Sequence, residues 1–577
     1  MNDSKTRKLN IDNTENKDKA TFGIDLGTTN SAISLVSSGN SPEVIDLKGR
    51  KTLPSCVMWT GEESGTDTFV VGEKAYAKRY LPNVKYSVKR HMGTHDTVKL
   101  TYNGVTKEFT PEEISAQILK ELCRRIEPDF GKVENVVITV PAYFNNAQVE
   151  ATRKAGEIAG LNVISTFREP TSAALIYTSL KQDEDEERIL VYDLGGGTFD
   201  VSLVSAKFDT CYPELDAIYG FENDVDGEVS NGIVLDVLKK TGDMHLGGDN
   251  IDDALLDIYK DKLKAKGINP TKVKESSLEK MKLELERYKK SNIQGVTLNN
   301  SIELIDGDII SAPGIHMSAV DFFNATKTVY DKTRKLLVDL LSEGDEIDSI
   351  VLVGGSTKSE ILKELLRQDF KYAQINDALN ADEAVALGAA LQAKRLAYGD
   401  KNIQVFDILP LSIGVLANDR ISRIIKKNQS VPFSETKYYT TSEDNQDHIY
   451  VDVYQGNSSI PEECSYLGRL EVDDLPKGKS GEIVIAITLS VNADGVLKCT
   501  AKLNNIVKTL ELVNIFKGNK SNNNIDDRTK KKLTRWRRQA IKLEDKNNRE
   551  KLLTSLDEFE KGNLSEKDIT KLIKELN

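Results

Sequence analysis

The 577-residue chain contains no run approaching the roughly eighteen consecutive apolar residues of a membrane-spanning helix, which argues against a membrane protein. Cysteine is scarce and scattered. Cys56, Cys123, Cys211, Cys464 and Cys499 form an odd set without a Cys-x-x-Cys pair, so neither a disulfide framework nor a cysteine zinc site is indicated, and a reducing cytoplasm fits best. Residues 1–20 are charged and lack an apolar stretch; they read as a disordered tail rather than a signal peptide. His91 and His95 are spaced like metal ligands but read as surface residues. A net charge of −12 argues against general affinity for nucleic acid, and the basic cluster from Lys530 to Arg538 reads as a solvated helix face.

The chain is long enough for about three to four domains. Two glycine-centred loops stand out, Asp25-Leu26-Gly27-Thr28-Thr29-Asn30-Ser31 and Asp193-Leu194-Gly195-Gly196-Gly197-Thr198-Phe199-Asp200. Each lies between apolar strands, so each predicts a β-hairpin. Glycine lets backbone N–H groups approach phosphate oxygens. Aspartates at the strand ends suit Mg²⁺ held through water, and the threonine hydroxyls suit a terminal phosphate or an attacking water. One such loop is weak; a matched pair predicts nucleotide binding by a duplicated α/β domain with a cleft between its halves.

A third element, Ile350 to Thr357, reads as a buried strand running into Gly354 and Gly355 and then a helix beginning near Lys358. Residues 380–390 carry a cap followed by small residues at helical spacing, which permits close packing beneath the cleft.

Six blocks, in order, carry a resemblance: Gly23 to Ser31, Val140 to Phe144, Glu169-Pro170-Thr171, Asp193 to Asp200, His245-Leu246-Gly247-Gly248 and Val353 to Thr357. Together they resemble the seventy-kilodalton heat-shock chaperone family from about Thr21 to Leu503. The resemblance implies an α/β actin-like ATPase domain of duplicated ribonuclease-H-like halves (21–398), a linker (399–409), a β-sandwich that binds peptide (410–516) and a short helical lid-like tail (526–577). It implies ATP/ADP, Mg²⁺ and K⁺ as cofactors. Gly27, Thr28, Thr29, Asn30, Gly195, Gly196, Gly197 and Thr198 would hold phosphates. Asp25, Asp193 and Asp200 would serve the cation shell, with Glu169 completing the Mg²⁺ waters. Lys89 would position the water that attacks the γ-phosphate. Gly247, Gly248, Glu286, Lys289, Lys290, Gly354, Gly355, Ser356, Lys358 and Asp382 would line the rest of the nucleotide site. The family has an arginine where Lys358 stands and a Leu-Ser pair where Asn292-Ile293 stands; a lysine cannot stack on adenine as a guanidinium does.

After residue 409 the apolar period becomes two. Ile449, Val451 and Val453 form one row; Ile483, Ile485, Ile487, Leu489 and Val491 form another, with a turn at Asn492 to Gly495. By resemblance Val415, Tyr439, Ser442, Ile449 and Val451 line the peptide pocket, with Tyr439 where the family prefers phenylalanine. A groove of this kind binds an extended segment through its main chain and takes one apolar side chain. Leu533, Trp536, Ala540 and Leu543, then Leu552, Leu556 and Phe559, form helical stripes, and Ser565 to Asp568 reads as a capping box opening a last helix.

The same resemblance implies that ATP and peptide favour different arrangements of the two halves, that Pro141 and Asp407 belong to the coupling route, and that the partners are unfolded polypeptide, a J-domain co-chaperone and a nucleotide-exchange factor. Val149, Ser165 and Arg168 replace an arginine, an arginine and an asparagine of the family. The rival readings are an actin-like-fold small-molecule kinase and a weakly hydrolysing ATP-bound scaffold.

Overall fold

The computed structural model describes residues 21–36, 41–94, 96–181, 185–211, 230–291, 295–311, 313–342, 345–377, 379–398, 402–409, 411–491, 496–503 and 506–514, and near the end 536, 540, 548, 551–556 and 566–576. The expected tail at 1–20, Asn292-Ile293, the turn Asn492 to Gly495, the basic cluster at 530–538 apart from Trp536, the capping residue Ser565, Leu533, Leu543, Phe559 and His95 lie outside these. The described residues form two compact units, one running to Val405 and one starting at Phe406.

The first unit holds two sheets built to one plan. One contains β1 (Thr21–Asp25), β2 (Asn30–Val36), β3 (Pro42–Val44), β4 (Asn135–Val140) and β5 (Asn162–Arg168) in the order β5-β4-β1-β2-β3, with the short strand Leu53–Pro54 also on β2. The other contains β6 (Glu187–Leu194), β7 (Phe199–Cys211), β8 (Ser230–Asp243), β9 (Ser349–Val353), β10 (Gln374–Asn376) and β11 (Ile403–Phe406) in the order β10-β9-β6-β7-β8-β11. In each sheet a hairpin pairs antiparallel while its first strand pairs parallel with a later one: β1 with β2 and β4, β6 with β7 and β9. Both expected hairpins are therefore present, and the two aspartate loops are their turns.

Helices cover the sheets. Residues Pro111–Phe130 form α1, opened by a capping box in which Thr110 and Glu113 exchange side-chain bonds to each other's N–H (2.8 and 3.2 Å) and Pro111 takes a position that needs no donor. Its Ile114, Ile118 and Leu122 pack with Ile24, Ile33 and Ile138. On the other sheet, α2 (Gly248–Ala265), α3 (Glu275–Lys290) and α4 (Ala319–Leu340) bury Leu255, Tyr259, Leu285 and Val329 against Leu190, Tyr192 and Val201.

One further helix, α5 (Ala384–Tyr398), is built of small residues because it is wedged tightly. A Cβ on Gly23 would strike the backbone of Ala389 and Ala390, and one on Gly388 would strike the Ser172 carbonyl. Ser34 and Ser172 donate to the Ala386 and Val385 carbonyls at 2.5 and 2.7 Å, tying the helix to β2 on one side and to helix Glu169–Lys181 on the other.

The helix expected near Lys358 begins later. Gly355–Lys358 is one 3₁₀ turn, and the α-helix runs Glu360–Asp369. Gly354 has φ +82°, a conformation suited to glycine, and Thr357 Oγ1 bonds back to the Gly354 carbonyl at 2.7 Å, so local bonds compete with helix here.

The second unit contains a sandwich of two four-stranded antiparallel sheets. Strands β12 (Ile413–Ala417), β13 (Arg420–Ile425), β15 (Ile449–Gln455) and β16 (Ser465–Val472) run in the order β13-β12-β15-β16; β14 (Phe433–Thr440), β17 (Val484–Val491), β18 (Val496–Leu503) and β19 (Ile506–Asn514) run β14-β17-β18-β19. Asn418 and Asp419, at φ +50° and +61°, make the two-residue turn that suits a twisted hairpin between β12 and β13. Ile485, Ile487, Leu489 and Val491 are buried on one face as their alternation predicts.

On β15 the opposite face is buried too. Asp452 is 1 % exposed and forms a forked pair with Arg469 at 2.7 and 3.0 Å, and Tyr454 packs edge-on against Tyr466. Tyr450 joins Leu552, Leu556 and Ile569 of the tail, where the last helix spans Glu566–Leu576. Arg469→Ala strands a buried carboxylate and is expected to cost about 3 kcal/mol of stability, read as a lowered denaturation midpoint. Among the described residues no helix is long and apolar enough to cross a membrane. Cys56, Cys123 and Cys499 are buried free thiols, Cys464 is a half-buried one, and His91 is a surface residue bonded to Asp96 at 3.0 Å.

Candidate active site

Both hairpin turns, the Gly354-Gly355 turn and the start of α2 face one cavity of about 430 Å³. Its wall includes Asp25, Gly27, Thr28, Thr29 and Asn30 from the first loop and Asp193, Gly195, Gly196 and Thr198 from the second. Lys89, Glu169, Gly248, Glu286, Lys289, Lys290, Gly354, Gly355, Ser356, Lys358 and Asp382 complete the expected set. Gly197, Gly247 and Asp200 do not reach the wall. They build it from behind: the Gly197 carbonyl accepts from Arg90 Nε at 2.8 Å, and a Cβ on Gly247 would lie 2.6 Å from the Gly196 carbonyl oxygen.

The loops are held by their carbonyls. Ser55 donates its hydroxyl to Gly27 (2.8 Å) and its N–H to Thr29 (2.7 Å). In the second loop Gly195 accepts from the Gly248 N–H and the Ser356 hydroxyl, both at 2.9 Å, and Gly196 accepts from the Asp249 N–H at 2.7 Å. A Cβ on Gly196 would collide with Thr29 Oγ1, so glycine there is what lets the two turns close on each other. The buried Thr29 Oγ1 has no hydrogen-bond partner among the described residues. A phosphate oxygen would satisfy it.

Three carboxylates and one ammonium share the floor, and a fourth carboxylate, Asp200, lies behind it. Lys89 is ion-paired with Glu169, both nearly sealed from solvent. Burial, then the charge of Glu169, raises Asp25 to about 7, against Lys89 and a 3.0 Å bond from Thr139. Asp200 is also raised to about 7, by burial and Glu169, although the Tyr143 N–H, Lys89 and Arg168 oppose the rise. Asp193 is pushed well above the carboxylate range by burial and then by Glu169, Asp200 and Asp25. Lys89 is raised in spite of burial because Glu169 and Asp25 face it. One ammonium does not balance this many acids, and an all-oxygen donor set suits a hard cation. Among the described residues no three acidic, histidine or cysteine side chains are arranged to ligate a metal directly.

At the far end the expected nucleoside contacts are already engaged. Lys289 pairs with Asp252 at 2.7 Å and donates to the Gly248 carbonyl at 3.0 Å. Burial works against ionisation of Glu286, yet Arg79 and Lys290 hold it down at about 2. Tyr76 donates to it at 2.5 Å, and Lys358 is paired with Asp382. Sequence reasoning missed Ser55, Tyr76, Arg79, Arg90, Asp249 and Asp252. Asp249 directly follows the Gly247-Gly248 pair and Arg90 directly follows Lys89, whereas Ser55, Tyr76, Arg79 and Asp252 lie outside the motifs.

In the sandwich, Val415 and Val451 are core residues, 3 % and 5 % exposed, while Ile449 and Tyr439 are half-buried at its margin and Ser442 is exposed. The Tyr439 hydroxyl finds a partner in Ser422 Oγ at 2.9 Å. The Ser442 N–H donates to Gln446 at 2.9 Å, which closes the loop after β14. Pro141 begins a turn beside Asp200, and Asp407 accepts from the Ile408 N–H at 2.7 Å and the Val431 N–H at 2.8 Å.

A family model described as Hsp70 protein matches residues 21–209 and 227–575. The chaperone protein DnaK of Mycoplasmoides gallisepticum is 34% identical over 499 residues, which covers 83% of this chain and 78% of that protein.

Proposed function

The chain belongs to the Hsp70 family, whose members join a two-lobed actin-like ATPase to a sheet-built substrate-binding domain, and it is an ATP-dependent chaperone; on that premise we propose how its residues divide the work. ATP and ADP with Mg²⁺ occupy the cavity between the two hairpins, and K⁺ joins them among the same acids. The mismatch between the floor's carboxylates and its one ammonium carries this reading. Mg²⁺ supplies charge neutralisation at the phosphates.

The remaining chemistry belongs to the chain. Gly195 and Gly196 give the phosphates backbone access, with Gly197 supporting them from behind, and Thr28, Thr29 and Thr198 bond phosphate oxygens. Lys89, fixed by Glu169, orients the water in line with the γ-phosphate. Glu286, Lys289, Ser356 and Lys358 meet the nucleoside, with Lys358 giving up the stacking that an arginine would provide.

Unfolded segments bind at the sandwich margin near Tyr439, Ser442 and Ile449, with Val415 and Val451 forming the base. The duplicated halves are ribonuclease-H-like, and the tail ending in Glu566–Leu576 is a short lid. A J-domain partner and an exchange factor act on the ATPase in the cytoplasm. Because Val149, Ser165 and Arg168 depart from the family, we infer a specialised member with a dedicated J-domain partner or a narrow client set. A small-molecule kinase or a weakly hydrolysing scaffold is not favoured, since the family match continues through the sandwich.

Ile449→Asp puts a charge at the half-buried pocket margin. It is expected to weaken binding of an apolar peptide by at least roughly tenfold while basal ATPase persists. Fluorescence anisotropy with a labelled peptide tests this, and unchanged affinity would put the groove elsewhere.

A further inference from the structure

We propose that Arg168 is a positioning residue for ATP hydrolysis: its guanidinium clamps the turn at residues 141–144 and thereby fixes Asp200, Lys89 and Glu169. The inference rests on the ATPase reading above. Arg168 ends β5, in register with Val140 at the end of β4, and is 5 % exposed. Its Nη1 donates to the Pro141 carbonyl at 2.9 Å and to the Phe144 carbonyl at 3.2 Å. Those two residues are the ends of one turn, closed by the Phe144 N–H on the Pro141 carbonyl at 3.3 Å. One charged donor therefore holds both ends of a loop.

That loop touches the hydrolytic groups directly. The Tyr143 N–H donates to Asp200 Oδ1 at 3.3 Å, and the Phe144 ring centroid lies 5.9 Å from Lys89 Nζ. Glu169, covalently next to Arg168, carries the carboxylate that pairs with Lys89. Bonds from an ionised donor are roughly twice as strong as neutral ones, so the turn is stiffened where its amide meets Asp200. The positive charge also opposes the rise of the Asp200 carboxyl. The asparagine that the family resemblance places at this position is too short to span both carbonyls from the strand end, so the clamp is a device of this chain.

The test compares wild type, R168K and R168Q by single-turnover hydrolysis of Mg-ATP, by ATP affinity with a fluorescent nucleotide and by thermal unfolding. R168Q is expected to hydrolyse roughly tenfold more slowly, with R168K partly rescued, because sub-ångström drift of the water-positioning groups costs about that much. ATP affinity should stay within about twofold in both variants, since neither change touches the cavity wall. Wild-type rates in both variants would overturn the proposal. So would loss of rate only in step with lost ATP affinity and lost folding, which is what a structural residue gives. A wild-type chain that does not hydrolyse ATP overturns the ATPase reading and this inference with it, whereas a hydrolysing wild type matched by R168Q overturns only the role of Arg168.

Discussion

Lys89→Ala is expected to lower single-turnover hydrolysis by roughly a thousandfold and to leave ATP affinity within about threefold of wild type. Lys89 is 4 % exposed and spends its charge on Glu169 at the cavity floor. On the proposed reading phosphate contacts come instead from the two hairpin turns and nucleoside contacts from α3 and the 354–358 turn, all of which line the cavity and none of which the substitution alters. The loss therefore falls on the reacting water. Truncation also leaves Glu169 without its buried counter-charge, which is why affinity for the Mg²⁺ complex is expected to hold rather than fall. Filter binding beside quench-flow hydrolysis checks this pair of numbers; equal losses in both would assign Lys89 to the nucleotide.

Asp193→Asn is expected to change two properties in opposite directions. Without nucleotide or metal, Asp193 is a buried acid beside Glu169, Asp200 and Asp25, and its folded-state value stands far above the unfolded one. A raised acid contributes stability at low pH and loses it as pH rises. For Asp25 and Asp200, raised to about 7, that loss runs from about pH 4 to about pH 7. A raised acid costs folding free energy once the pH is above its unfolded-state value, and asparagine carries no such cost, so at pH 8 the metal-free variant should unfold at a higher temperature than wild type. The same change removes a carboxylate proposed to serve the cation, and Mg-ATP hydrolysis should fall by roughly a hundredfold or more. Thermal unfolding of the metal-free protein reads the first effect, and single-turnover hydrolysis of Mg-ATP reads the second. A lower midpoint in the metal-free variant would mean that the four acids do not repel one another as the geometry implies.

The parts of this site that were legible in the sequence are those in which residue type and local spacing coincide. Asp25, Gly27 and Thr28, or Asp193, Gly195 and Thr198, occupy strand ends and turns only a few residues long, so no tertiary information is needed to see them. The duplication was legible for the same reason, and the shared strand order of the two sheets makes it explicit. Ser55, Arg79 and Asp252 could not be read because their roles arise from pairings across long stretches of chain, with Gly27, Glu286 and Lys289 respectively. The delayed helix after Gly354 was missed because one threonine hydroxyl bond outweighs helical periodicity over a single turn. Alternation on β15 identified Val451 and Val453 as inward, yet it gave no sign that Asp452 is buried as well. Only the match to Arg469 on β16 makes that tolerable.

The central claim is that nucleotide at the hairpin cleft controls the grip of the sandwich on unfolded polypeptide. Release of a labelled apolar peptide, followed after adding excess unlabelled peptide with ATP, with ADP and with no nucleotide, measures it most directly. Linkage of ordinary size would speed release with ATP by roughly 5- to 150-fold over ADP. Superimposable traces in all three conditions, from protein shown to bind both ligands, would contradict it.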